Sequence, residues 1–272
     1  LNLGIIGCGV VGMATGKMLE ELGHKVIYCD KDLPLLDKIR MTEHSVTDSI
    51  YDIKKTCDII FVCVNAPTDK DGELDLSQIQ SVINSFAGLQ TNQTVVFRTT
   101  LLPGVMHNLN NTLHCNVLYL PEFLREKFAV WDEIHPDRIV IGIGGDSNVV
   151  PLMNILHNLR KPIHVVTYQE AELIKYASNA FFATKISFFN EIGMLANELD
   201  MDGDTVCKIV GGDHRIGLYG TQPGRPFQGF CLPKDMVAFI NFQRDNGVFS
   251  ELLESVMSIN EGFGRLNENH NS

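Results

Sequence analysis

Hydrophobic positions fall into short apolar runs separated by helical stretches. Residues 3–6 form a brief β-rich run. A glycine turn follows, then a helical pattern to residue 22, a Gly23-His24 break and a second apolar run at 25–29 that closes on Asp30. Runs at 58–64, 94–97, 116–120, 138–143 and 163–167 continue the alternation; 58–64 has the continuous apolar character of a central parallel strand, and 163–167 is expected to close the sheet. Asp75, with Gln78 three residues on, predicts an N-cap and a helix start. From residue 168 the pattern changes. Residues 169–199 contain no proline and one glycine, Gly193, with apolar residues at helical spacing. This predicts one helix of about 30 residues, about 45 Å long. Such a length suits a helix that connects domains or forms a subunit contact. Shorter helices are predicted at 204–210, 234–244 and 250–265, with a frayed polar tail at 267–272. The expected fold is α/β: a Rossmann dinucleotide-binding domain at 1–166, then an all-helical domain at 167–272 built on the long helix.

Several stretches carry candidate chemistry. Gly7-Cys8-Gly9-Val10-Val11-Gly12 is G-x-G-x-x-G placed between a strand and a helix, with Asp30 ending the next strand 18 residues after Gly12. Gly7 permits the tight turn, Gly9 lets backbone approach a pyrophosphate, and Gly12 allows close helix–strand packing. The pyrophosphate would rest on the helix N-terminus, where Val10 and Val11 begin the helix. Asp30 would accept hydrogen bonds from a ribose diol and repel a 2′-phosphate, favouring NAD over NADP. Thr68 and Thr100 follow strands, at the carboxyl edge where ligands bind in such sheets. Glu122 and Glu126, four apart, share a face if their segment is helical and would then suit proton transfer; a solvated surface pair is the competing reading. Lys175 and Asn179 are four apart on the long helix, a cation and an amide donor for a cleft, unless the lysine snorkels to solvent. In Gly229-Phe230-Cys231-Leu232-Pro233-Lys234-Asp235, Pro233 suits an early helical position. Cys231 then lies at a helix N-terminus, which favours a thiolate, with Lys234 adding positive charge and Asp235 one turn on. A buried structural cysteine is the alternative.

Composition narrows the class. The chain has 272 residues and a net charge of −11, which argues against nucleic acid or an anionic membrane as the main partner. No apolar run is long enough to span a bilayer, and no secretory leader is expected. The seven cysteines are odd in number and scattered without C-x-x-C, so neither a disulfide framework nor a metal site is expected, in keeping with a reducing cytoplasm.

Together these segments resemble the UDP-glucose/GDP-mannose dehydrogenase family. The resemblance rests on P-E-F-L-R-E at 121–126 with P-D-R-I-V-I-G at 136–142, A-E-L-I-K-Y-A-S-N-A-F at 171–181 with F-N-E-I at 189–192, D-x-R-I-G at 213–217, and G-F-C-L-P-K-D at 229–235. It implies an NAD-dependent, two-step oxidation of a nucleotide sugar's C6 alcohol to a carboxylate. In that scheme Cys231 attacks the aldehyde. Lys175 and Asn179 hold the developing oxyanion. Asp235 with Lys175, and Glu126 or Glu122, are bases, Thr100 positions water, and Thr68 and Lys234 join the cofactor-binding set. A homodimer through the long helix is also implied. Two features depart from the family: Pro226 and Gln228 replace glycines of the loop before the cysteine, and the family's third domain is absent from this sequence. Truncation and a short natural member are both open, and a partner chain would then complete the sugar site. A hydroxyacid dehydrogenase of similar layout and a catalytically idle NAD-binding subunit are the alternative functions.

Overall fold

A computed structural model of the chain describes residues 1–69, 72–229 and 231–270; at Cys231 and at 265–270 it describes the backbone alone. Eight strands among the described residues form one sheet: β1 (Asn2–Ile6), β2 (Lys25–Cys29), β3 (Ser45–Thr47), β4 (Ile59–Val62), β5 (Thr94–Phe97), β6 (Asn116–Tyr119), β7 (Ile139–Ile143) and β8 (Ile163–Thr167). Their order is β3-β2-β1-β4-β5-β6-β7-β8. All neighbours pair in parallel except β6 and β7, which meet antiparallel. The intervening helices are α1 (Val10–Glu21), α2 (Leu33–Arg40), α3 (Ile50–Thr56), α4 (Ser77–Ser85), α5 (Val105–Asn110), α6 (Ala129–Ile134) and α7 (Val150–Leu156). Four more follow the sheet: α8 (Tyr168–Glu198), α9 (Gly203–Gly211), α10 (Cys231–Asp245) and α11 (Glu251–His270). No helix among the described residues is long and apolar enough to cross a membrane.

The chain divides into two units, Leu1–Pro67 with Leu74–Lys175 and Thr68–Glu73 with Tyr176–Ser272. In the first, strand residues alternate between two cores because side chains alternate across a strand. Ile60, Val62, Val95 and Phe97 pack with α3, α4 and α5 residues such as Ile53, Ile79 and Met106. Leu3, Ile5, Ile59, Phe61 and Val96 pack with Met18 and Leu19 of α1, Leu36 of α2 and Leu152 of α7 on the other face. Burial on both faces explains why these strands read as unbroken apolar runs. The second unit buries Phe189, Cys207, Met236, Phe239 and Val256, with Tyr176 stacked on Phe239 at 5.5 Å.

Three details differ from the sequence pattern. Asp75 does not cap α4: the N-cap is Leu76, and Asp75 Oδ1 instead accepts the Ser77 N–H at 2.8 Å, closing a turn just before the helix. Helix α10 starts at Cys231, ahead of the expected 234, because Pro233 is accepted within the first turn. Helix α11 continues to His270 rather than fraying from 267.

A buried carboxylate fixes one loop of the sheet's carboxyl edge. Gly104 precedes α5 and has no side chain with which to cap it. Glu172 of α8 takes over, accepting the N–H groups of Gly104 and Met106, both at 2.7 Å. Burial pushes the Glu172 carboxyl up to about 7, the two amide donors only partly offsetting the loss of solvent. Because this acid is raised in the folded chain, its contribution to stability is full below its unfolded value and is lost as pH rises to about 7. The loss amounts to up to about 3 kcal/mol. Glu172→Gln, neutral at every pH, is expected to remove that slope from urea unfolding measured between pH 4.5 and 8. Parallel curves for the two proteins would show that Glu172 titrates normally.

Candidate active site

The loops after β1, β4, β5 and β6 open at one edge of the sheet. Ladder bonds persist past the strand ends: Gly7 N–H to Cys29 O, Cys63 N–H to Ile6 O, Arg98 N–H to Val62 O and Leu120 N–H to Phe97 O, at 2.7–2.9 Å. Residues following the four strands are therefore brought to the same edge.

The glycine loop is as tight as its motif demands. Gly7 has φ +92°, and a Cβ on Gly12 would lie 1.9 Å from the Gly7 carbonyl oxygen, so α1 can start here only on glycine. A Cβ on Gly9 would meet nothing within 4 Å, leaving that backbone open to approach. Gly9 is also the N-cap of α1 and supplies no side-chain cap, and the first turn, with Val10 exposed and Val11 half-buried, carries no acid. An uncapped helix start of this kind suits an anion. Asp30 Oδ2 accepts the Cys8 N–H at 2.7 Å and Oδ1 the Asp32 N–H at 3.0 Å, which sets the carboxylate beside the loop. A carboxylate accepts about four hydrogen bonds, so this one keeps capacity for a diol. These residues fit a dinucleotide.

After β6 the chain has no regular secondary structure over residues 120–125. Glu122 and Glu126 therefore do not share a helix face, correcting that expectation. Pro121 leads the segment into the interior, so Glu122 is buried, whereas Glu126 begins an exposed 3-10 turn (Glu126–Phe128). Lys175 is 3% exposed, so it does not snorkel; its Nζ donates to Glu122 Oε1 at 2.8 Å and lies 5.7 Å from the Phe123 ring centre. Glu122 Oε2 accepts the Leu124 N–H at 2.7 Å. Burial opposes ionisation of Glu122, but the Lys175 ammonium, the Leu124 amide and the Arg98 guanidinium hold its carboxyl below the usual range.

Arg98 is a residue the motifs passed over. It is buried immediately after β5 and paired through both guanidinium Nη atoms with buried Glu133 of α6. It also donates to Thr15 Oγ1 at 2.9 Å, and that hydroxyl donates to Val11 O at 2.7 Å. The pair thus reaches the first turn of the dinucleotide helix. The only sequence signal was an arginine closing an apolar strand. Of the two threonines that follow, Thr99 is engaged by the Val64 carbonyl at 2.6 Å, and Thr100 is half-buried at the sheet edge.

In the second unit Asp235 of α10 is 2% exposed. Its Oδ2 accepts from Asn179 Nδ2 and its Oδ1 from Lys234 Nζ, both at 2.7 Å. Lys234, expected on the cofactor side, is thus drawn to this carboxylate. Cys231 opens the same helix one turn earlier, its side chain lying outside the described residues. Thr68 Oγ1 is buried without a hydrogen-bond partner among the described residues. The other cysteines, Cys8, Cys29, Cys57, Cys63, Cys115 and Cys207, are free, and burial pushes every one of their thiols up. None of them is a ready thiolate.

Comparison with known proteins identifies the family. Residues 39–163 match the NAD binding domain of the UDP-glucose/GDP-mannose dehydrogenase family, and residues 169–262 match that family's central domain. The chain is 33% identical to UDP-glucose 6-dehydrogenase YwqF of Bacillus subtilis, over 96% of this chain and 66% of that protein. It is 34% identical to a UDP-glucose 6-dehydrogenase of Rickettsia bellii, over 96% of this chain and 67% of that one. The structure of a UDP-glucose dehydrogenase from Pyrobaculum islandicum superposes with a TM-score of 0.86 at 30% identity, covering 96% of this chain and 68% of that one. The chain thus spans about two thirds of the length of these relatives.

Arg98→Met leaves the Glu133 carboxylate buried without its partner and is expected to cost roughly 3–5 kcal/mol in urea unfolding. The double substitution Arg98→Met/Glu133→Leu, which removes both charges, is expected to recover most of that loss. Additive losses would mean that the two side chains are not coupled.

Proposed function

Since the chain belongs to the UDP-glucose/GDP-mannose dehydrogenase family, we propose that it is the NAD-dependent catalytic part of a nucleotide-sugar 6-dehydrogenase. It oxidises the C6 alcohol of a UDP-glucose-like substrate to the carboxylate. The observation that carries this reading is the start of α10. Cys231 opens the helix, and one turn on, buried Asp235 is held by Asn179 and Lys234.

NAD would be held by the glycine loop, with Asp30 at its ribose, and would supply the hydride acceptor for the two oxidations of C6. The chain's own groups handle protons and charge. In the first oxidation Asp235, acting with Lys175, takes the alcohol proton. The Cys231 thiolate then adds to the aldehyde carbon, giving a thiohemiacetal whose oxygen carries the developing charge. Lys175 and Asn179 are the oxyanion donors: an ammonium has three N–H groups, of which Glu122 engages one, and an amide has two, of which Asp235 engages one. The second oxidation leaves a thioester on Cys231. Water oriented by Thr100 attacks it, its proton passes to a carboxylate, and the acid departs as the thiol is restored. Glu122, buried and held ionised, suits that role better than exposed Glu126. Thr68, whose hydroxyl has no partner among the described residues, and Lys234 complete the polar set.

The division at 166/167 is our functional reading of the chain: cofactor binding in the first part, the nucleophile in the second. We assign a homodimer to α8. Phe181, Phe188 and Leu195 are 62%, 50% and 57% exposed and recur on one helix face at seven-residue spacing. Phe188→Glu is expected to convert a dimer into monomers in sedimentation analysis. An unchanged mass would place the contact elsewhere.

The function is tested by counting NADH per sugar consumed across UDP- and GDP-hexoses. Two NADH and a carboxylate product are expected, with Cys231→Ser abolishing the acid. One NADH per molecule of a hydroxyacid, with a carbonyl product and no loss in Cys231→Ser, would favour a hydroxyacid dehydrogenase. NAD binding without turnover on any sugar would favour a cofactor-binding subunit that serves another chain.

A further inference from the structure

The connection from α9 to α10 has no regular secondary structure over residues 221–229, yet other elements of its unit hold it at four places. Thr221 is buried, and a Cβ on Gly211 of α9 would lie 2.8 Å from its Cγ2. Pro223 seats on α8, where a Cβ on Gly193 would lie 2.4 Å from its own Cβ. Asn190 of α8, fully buried, donates from Nδ2 to Arg225 O at 2.8 Å and accepts the Gly224 N–H on Oδ1 at 3.0 Å. Asn260 of α11 accepts the Phe227 N–H on Oδ1 at 2.7 Å and donates from Nδ2 to Phe227 O at 3.1 Å.

Each asparagine therefore acts as a neighbouring strand would, offering the loop one donor and one acceptor. Pro226, between the two clamped stretches, has no N–H to satisfy. Phe227 is buried, and its backbone polar groups would be costly to leave unpaired. Irregular chain is ordinarily mobile, whereas this segment has backbone partners at residues on both sides of its proline. Four residues after Phe227 the chain reaches Cys231 and the first turn of α10.

We propose that Asn190 and Asn260 are positioning residues that act through loop 224–227 to fix the chain delivering Cys231 to the start of α10. The proposal rests on the reading of Cys231 as the nucleophile. A thiol activated by a helix N-terminus must be held at that terminus, because the dipole's influence falls off within the first turn. Neither asparagine needs to touch substrate. Their work is to keep the approach to the helix in one conformation.

The test uses two readouts on the same proteins: amide hydrogen exchange over residues 221–232, and the pH profile of Cys231 alkylation by iodoacetamide, followed by peptide mass spectrometry. Wild type is compared with Asn190→Ala, Asn260→Ala, Asn260→Asp and Val256→Ala. Val256 is buried on α11 and serves as a destabilised control. Both alanine variants are expected to raise exchange about tenfold across 228–232, beyond the amides that lose a partner. They should also move the alkylation midpoint toward a free thiol's ~8.5. Asn260→Asp, which keeps the acceptor for Phe227 N–H, should fall between wild type and Asn260→Ala, and Val256→Ala should match wild type. Faster exchange confined to Gly224 and Phe227, or the same changes in Val256→Ala, would overturn the proposal. A wild-type midpoint already at the free-thiol value would instead overturn the nucleophile reading, leaving exchange to decide the clamp.

Discussion

Helix α8 buries more polar side chains than its apolar pattern suggests, and each must find a partner. A buried polar or charged group left unpaired costs several kcal/mol, comparable to much of a domain's net stability. Glu172, Lys175, Asn179, Ser187 and Asn190 are all buried on this one helix. Each meets the requirement with a different segment: the start of α5, Glu122 after β6, Asp235 of α10, the Val256 carbonyl of α11 and the loop at 224–225. The pairing constraint makes the helix an organiser. In the first unit it holds the start of α5 and the segment after β6; in the second it holds α10, α11 and the loop at 224–225.

The same constraint weighs stability against placement. A buried ion pair such as Lys175–Glu122 or Arg98–Glu133 gains little over a well-packed apolar pair, because both ions lose their hydration. What it supplies is geometry. Arg98 satisfies Glu133 and also reaches Thr15, whose hydroxyl bonds Val11 in the first turn of α1. An apolar side chain of equal volume would fill that space but would not fix the turn. Ionised groups are kept where charge must be available, and the cost falls on a sheet core large enough to bear it.

Legibility in the sequence followed the range of the forces involved. The glycine loop, the parallel strands and the 31-residue helix were readable because each rests on local sterics or on period. Contacts across the fold were not. Asp75 has the spacing of a capping residue, but the turn closes on Ser77, and Leu76 becomes the N-cap. Glu122 and Glu126 have helical spacing, but the segment after Pro121 is not helical, and one is buried while the other lies in solvent. Arg98, Glu172, Asn190 and Asn260 left almost no local trace. A buried arginine or asparagine is recognisable only once its distant partner is known. Lys175 and Asn179 stood out because an apolar helix gives a cation and an amide no local reason to be there.

Cysteine placement applies the same physics to reactivity. Six thiols sit where burial disfavours the thiolate, and in Cys29 the carboxylate of Asp30 adds to that effect. They behave as small apolar side chains, five of them at the sheet cores and Cys207 on α9, and none is a ready thiolate. Cys231 differs by position alone. It is the first residue of a helix, where orphan N–H groups and the dipole favour negative charge. The family's usual loop before this residue is rich in glycine, and here Pro226 and Gln228 stand in glycine's place. Proline and a doubly bonded Phe227 make the approach to Cys231 stiffer than glycine would. Stiffness lowers the entropy lost when a side chain at the start of α10 is aligned.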